Sequence, residues 1–183
     1  MGSLQIVVFA VWILLVYQIV VCQEFNASEY SALNMFHDAT GGEHWTYNGT
    51  NGHWNFSDPQ PCVPEPWQGL TCDFSNTSVS KIILNAFNLS GTLPSNVFDN
   101  LTGLEQFSVN SNQLTDTIPA SLGNLSQLEY LDLGSNQLVG TVPASLGNLS
   151  QLQGLSFCNN SLTGFLPASL GNLTGLKGLY LIS

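Results

Sequence analysis

Residues Leu125–Asn148 read LSQLEYLDLGSNQLVGTVPASLGN, and the same pattern recurs in register over Leu101–Asn124 and Leu149–Asn172. Pro119, Pro143 and Pro167 lie 24 residues apart, and Pro94 precedes Pro119 by 25. About ten fixed positions repeated three times mark an array of stacked units, because a unit this short cannot bury its apolar face alone. A further unit starts at Leu173 and runs to Ser183, and a less regular one starts near Val79.

Each unit carries one short strand. Leu128, Leu131 and Leu133 point inward, as do Leu104, Phe107 and Val109 before them and Leu152, Leu155 and Phe157 after them. Leu138, Val142 and Leu146 cover the core from the other side. Asn112, Asn136 and Asn160 fall at the turn after the strand, where a side-chain amide satisfies backbone groups of its own coil and the next. The alternate strand positions face outward on a concave sheet, among them Gln106, Ser108, Tyr130, Asp132, Tyr180 and Ile182. Gln106, Tyr130, Asp132 and Tyr180 are the candidate ligand-binding residues, the tyrosines because they combine apolar area with a hydroxyl.

Ahead of the array, Asn26–Ala39 predicts a short helix. Asn26 supplies an N-cap with Glu29 three residues on, the spacing of a capping box. Tyr30, Leu33 and Phe36 share one face, and Gly41-Gly42 ends the helix. Residues 43–66 have no period; Trp45 and Trp54 there, with Trp67 just beyond, are expected to pack against the first unit as a lid.

The run Leu4–Val21 is uncharged and mostly apolar. Residues 1–22 are therefore expected to be a signal peptide or a retained signal anchor. Either places the rest in the secretory pathway, secreted or at the cell surface. Asn-x-Ser/Thr occurs at Asn26, Asn48, Asn55, Asn76, Asn88, Asn100, Asn124, Asn148, Asn159 and Asn172, each a glycosylation candidate. A glycan at Asn26 would compete with its capping role. Cys62 and Cys72 are close enough to pair in an oxidising compartment, and the closed loop would contribute about 2–3 kcal/mol. Cys22 leaves with the signal or stays unpaired, and Cys158 is left over.

The chain holds two lysines, no arginine and 12 acidic residues, a net charge of −10. Nucleic acid is excluded as a partner because phosphate binding needs clustered cations. Docking on anionic lipid is excluded for the same reason. His37, His44 and His53 lack metal-ligand spacing, and no nucleophile-elbow motif is present, so no metal, cofactor or catalysis is expected.

These residues resemble the plant-type leucine-rich repeat family, whose consensus is LxxLxxLxLxxNxLxGxIPxxLGN. Ser31–Asp73 is similar to the cap that precedes such arrays: Ala32-Leu33, the ATGGEHW segment, and Trp67-Gln68-Gly69-Leu70-Thr71-Cys72 after Pro61-Cys62. The resemblance implies an α/β solenoid with short parallel strands on its concave face and a helical cap, and a disulfide between Cys62 and Cys72. The expected organisation is a cap over 23–76 and about five repeats over 77–183, the last incomplete. Phe87 stands where the ladder Asn is usual, and Asp116 where Gly91, Gly140 and Gly164 set the rule.

Two family roles remain open at this stage: a receptor-like ectodomain that recognises a protein, peptide or glycan, and a secreted inhibitor of an extracellular hydrolase. Five strands at ~4.8 Å give a face of roughly 300–500 Å², against the ~800 Å² per partner of a stable interface. A fragment of a longer receptor kinase is accordingly a third reading. An uncapped last repeat is expected to self-associate, and a monodisperse monomer in light scattering would contradict this.

Overall fold

The computed structural model describes residues 25–47, 52–58, 60–63 and 66–181. The expected signal segment, the sequon at Asn48 and the strand position Ile182 lie outside the described residues.

The first element is helix α1, Ala27–Ala39. Asn26 Oδ1 accepts hydrogen bonds from the amides of Ser28 (3.0 Å) and Glu29 (3.4 Å), so the N-cap forms. The reciprocal half of a capping box does not. The Asn26 amide donates to Thr77 O at 3.1 Å. Glu29 turns away and is buried, accepting from Ser78 Oγ at 2.6 Å and from the Val79 amide at 2.8 Å. Spacing alone suggested a local role, whereas the carboxylate ties the cap helix to the first strand of the array. The helix ends at Thr40, and Gly41 follows at φ 69°, the left-handed turn that glycine makes cheaply.

Ala32, Leu33 and Phe36 form the buried stripe of α1, with Tyr30 at its margin. Phe36 lies 5.9 Å from Trp45 and 6.2 Å from Trp54, and Trp54 lies 5.5 Å from Trp67, centroid to centroid. All three indoles are buried. Trp45 Nε1 donates to Thr40 O and Trp54 Nε1 to Gln68 O, each at 3.0 Å, so their polar edges are satisfied. A disulfide joins Cys62 to Cys72 across 6.0 Å between Cα atoms.

Ten strands follow. β1 (Leu70–Cys72), β2 (Val79–Ile83), β4 (Gln106–Ser108), β6 (Tyr130–Asp132), β8 (Gly154–Ser156) and β10 (Gly178–Tyr180) form one sheet in the order β1-β2-β4-β6-β8-β10. β1 is antiparallel to β2 and every later pair is parallel, so the cap closes the near edge with a hairpin partner and each repeat adds one strand. On the flank, β3 (Ser90–Thr92) pairs with β5 (Gln113–Thr115), and β7 (Val139–Gly140) with β9 (Ser161–Leu162). Short 3₁₀ turns over Ala120–Asn124, Ala144–Asn148 and Ala168–Asn172 return the chain. Asp116 takes φ 66° where the other repeats use glycine, and its carboxylate accepts from the Thr117 amide at 2.8 Å, a local bond that makes this conformation tolerable.

The asparagine ladder runs backward along the array. Asn136 Oδ1 accepts from the Leu114 amide of the preceding repeat, and its Nδ2 donates to Val109 O there as well as to Leu133 O and Gly134 O of its own coil. Asn112 and Asn160 repeat the arrangement. Each amide therefore bridges to the coil before it, not the coil after.

Glu29 makes stability depend on pH. Burial pushes its carboxyl above the ordinary 4.5; the bonds from Ser78 and Val79 pull against this, and Asp73 nearby adds a further upward push. The folded state then holds the proton at a higher pH than the unfolded chain. Its stabilising contribution is present at low pH and is lost as pH rises through the folded value. In Glu29→Gln the amide oxygen still accepts from Val79, and the NH₂ donates to the Ser78 hydroxyl. We expect urea midpoints of this variant to be flatter than wild type between pH 4 and 7. Glu29→Ala, which orphans the buried Val79 amide, should lose about 1–3 kcal/mol throughout.

Candidate functional site

The strand register builds the concave face in rows. Lys81, Gln106, Tyr130, Gly154 and Gly178 align across the sheet, as do Ile83, Ser108, Asp132, Ser156 and Tyr180. Between them Ile82, Phe107, Leu131, Leu155 and Leu179 form the inward row. All four candidate binding residues thus fall in the two outward rows.

Tyr130, Asp132, Gln106 and Tyr180 line a groove of about 520 Å³, together with Asn85, Asn110, Ser156 and Cys158. Tyr130 is 44% exposed and Tyr180 63%, which leaves both rings available. Each lies over a glycine. A Cβ at Gly154 would sit 2.8 Å from Tyr130 Cδ1, and one at Gly178 would sit 3.0 Å from the ring of Tyr180. The missing side chains are what let the rings lie flat on the sheet. Asp132 is held by its own turn: Oδ1 accepts from the Gly134 amide at 2.9 Å and from Asn110 Nδ2 at 3.4 Å.

Ser108 departs from its expected outward exposure. It sits in an outward row but is buried, because Asn85 folds over it: Asn85 Oδ1 accepts from Ser108 Oγ at 2.7 Å and from the Asn110 amide at 2.8 Å. Asn85 and Ser108 both line the groove there, with Ser108 at its floor. Cys158 is a free thiol, half-buried, with Sγ 3.5 Å from Ser156 Oγ. The three indoles of the cap are buried, so they add no stacking platform. Among the described residues, no group of three or more His, Cys, Asp or Glu is placed to hold a metal ion.

The repeat geometry has counterparts of known identity. The leucine rich repeat family profile matches residues 77–138, and a second leucine-rich repeat profile matches residues 151–173. The chain thus carries leucine-rich repeats of the kind these profiles describe. It is 36% identical over 98 residues to the probable inactive receptor kinase RLK902 of Arabidopsis thaliana, which covers 54% of this chain and 13% of that relative. Among solved structures, the BIR2 ectodomain of Arabidopsis thaliana superposes with TM-score 0.73 at 25% identity, covering 84% of this chain and 78% of that one. The ectodomain of the Arabidopsis receptor kinase GASSHO1/SCHENGEN3, solved in complex with CASPARIAN STRIP INTEGRITY FACTOR 2, gives TM-score 0.73 at 31% identity, covering 84% of this chain and 18% of that one. This leucine-rich repeat chain therefore spans a small part of the receptor kinases it matches and most of one compact ectodomain.

Proposed function

We propose that the chain is an extracellular recognition module of the receptor-like kind, reading a protein or peptide ligand on its concave sheet. The observation that carries this is the groove itself: two exposed tyrosines and a turn-anchored carboxylate converge on one face of a rigid parallel sheet. Rigid aromatic anchors beside fixed polar groups are how binding surfaces concentrate their energy. Several similar solved chains are ectodomains, two of them of receptor kinases, which supports an extracellular setting.

Gln106, Tyr130, Asp132 and Tyr180 are the proposed contact residues. The test is selection of binders from a displayed library of secreted peptides by the whole chain, repeated with a Tyr130→Ala/Tyr180→Ala variant. Affinity for selected binders should fall by about tenfold or more, the range of hot-spot truncations, with the melting temperature unchanged. Unchanged affinity would place recognition elsewhere.

We further propose that glycans are best tolerated at Asn148 and Asn172, which are exposed at the ends of the 3₁₀ turns. Asn26 and Asn88 instead use their side chains to hold α1 and the His44 carbonyl. Self-association remains part of the proposal: Phe165, 97% exposed, Leu166, 47%, and Leu181, 37%, line one open cavity and form an apolar patch of the kind that pairs.

A further inference from the structure

We propose that Asn76 carries an N-linked glycan and that the exposed ring of Phe74 is the surface on which its first sugar packs, locking the turn between β1 and β2. The site lies on the cap hairpin and is independent of what the concave face binds.

The turn presents both residues. The Asp73 amide donates to Ser78 O at 2.9 Å and closes the hairpin, and the Asn76 amide donates to Asp73 O at 3.0 Å and closes a reverse turn over 73–76. Asn76 takes φ 57°, a left-handed conformation that asparagine tolerates. The Asp73 carboxylate holds the turn together. Its Oδ1 accepts from the amides of Thr77 at 2.9 Å and Ser78 at 3.2 Å, and its Oδ2 from Ser75 Oγ at 2.6 Å. Phe74 is 107% exposed, and the exposed side chain of Asn76 enters no hydrogen bond among the described residues. Residues two apart have Cα atoms no more than about 7 Å from each other, within the reach of one sugar. The C–H-rich face of a pyranose is apolar and weakly positive, and the face of an aromatic ring is negative, so the two stack.

The other sequons lack this pairing. Phenylalanine stands two residues before Asn76, Asn100 and Asn159 alone among the ten. Phe98 and Phe157 are buried in the core, so their rings cannot receive a sugar. Their asparagines are also engaged: Asn100 Nδ2 donates to Asn96 O and Asn159 Nδ2 to Ser135 Oγ, each at 3.3 Å. At Asn148 and Asn172 the residue two before is leucine, so a glycan there has room but no ring. The donor is a lipid-diphosphate-linked oligosaccharide. Asn76 Nδ2 bonds to its anomeric carbon, the C–O bond to the diphosphate breaks, the lipid diphosphate departs with the bonding pair, and the nitrogen gives up one proton to solvent. In the folded chain Ser78 Oγ donates to Glu29 Oε1 at 2.6 Å, so the sequon is read before the hairpin closes.

The test uses the whole chain secreted from a eukaryotic host. Glycopeptide mass spectrometry should find Asn76 occupied in most copies. The C–H protons of the first sugar should shift upfield through the ring current of Phe74, and the shift should vanish in Phe74→Leu. Asn76→Gln should lower the melting temperature by about 2–4 °C, the response of a chain of this size to losing one modest contact. In a Phe74→Leu background the same substitution should change it by less than about 1 °C, as should Asn172→Gln in the wild type. Phe74 is fully exposed, so its variants keep the fold. An unoccupied Asn76 overturns the proposal. So does an occupied Asn76 whose loss costs as much without the Phe74 ring as with it.

Discussion

Asn136→Asp should be among the most damaging single-atom-scale changes in the array, with a loss of at least about 3 kcal/mol in urea unfolding at neutral pH. The side chain is nearly isosteric, so packing is not the cause. The Asn136 amide nitrogen donates to Val109 O, Leu133 O and Gly134 O at 2.9–3.2 Å while its oxygen accepts from the Leu114 amide at 3.0 Å. A carboxylate keeps the single acceptor role and loses every donor. It then presents a buried negative charge to three carbonyl oxygens. Asn136→Ala removes the same bonds without adding charge and should cost less, about 2–3 kcal/mol, so the difference between the two variants measures the repulsion. Asn160 makes the same set of bonds from a half-buried site, and its Asp variant should be milder because water reaches it. Equal losses at Asn136 and Asn160 would show that burial does not set the penalty.

Phe107→Ala should cost about 3–5 kcal/mol, the range for a fully buried phenylalanine whose cavity cannot collapse. Phe107 is a repeat residue, yet its ring meets Phe36 of the cap helix at 5.9 Å and Phe98 at 5.3 Å, both edge-on. Removing it should therefore loosen the cap as well as the array. Because Phe36 also meets Trp45 and Trp54, tryptophan emission should shift to the red before the array unfolds. Phe107→Leu, which refills most of the volume, should cost under about 1.5 kcal/mol and leave emission unchanged. A large loss of stability with unaltered emission would mean that Phe107 supports the array alone.

How much of this was legible in the sequence follows from distance along the chain. The rows of the concave sheet could be read because every parallel pair in it is one repeat apart, so the repeat period carries the register with it. Glu29 could not be read correctly: its partners Ser78 and Val79 lie 49 and 50 residues away, and the spacing to Asn26 offered a nearer, mistaken explanation. Ser108 was assigned to the correct face and the wrong exposure, since alternation gives the direction of a side chain but not what its neighbour one repeat back will lay over it. The ladder's direction was lost for a related reason. A repeating sequence looks the same read toward either neighbour, and only the handed winding of the coil decides which one the amide reaches. The placement of the tyrosines and Asp132 on the outward rows was legible from the alternation along each strand. The glycines beneath the rings were visible as residues but not as seats.

Those seats have an evolutionary consequence. Tyr130 takes its posture from a residue on the next strand, and Tyr180 from one two positions before it in the same strand. A side chain at Gly154 would push the Tyr130 ring aside and reshape the groove, and one at Gly178 would press on the Tyr180 ring by a few tenths of an ångström. Gly154→Ala alone brings a methyl to 2.8 Å of Tyr130 Cδ1, enough to tip the ring. A lineage could thus reshape this face by single-nucleotide steps at its floor positions, leaving the proposed aromatic and acidic contact residues intact.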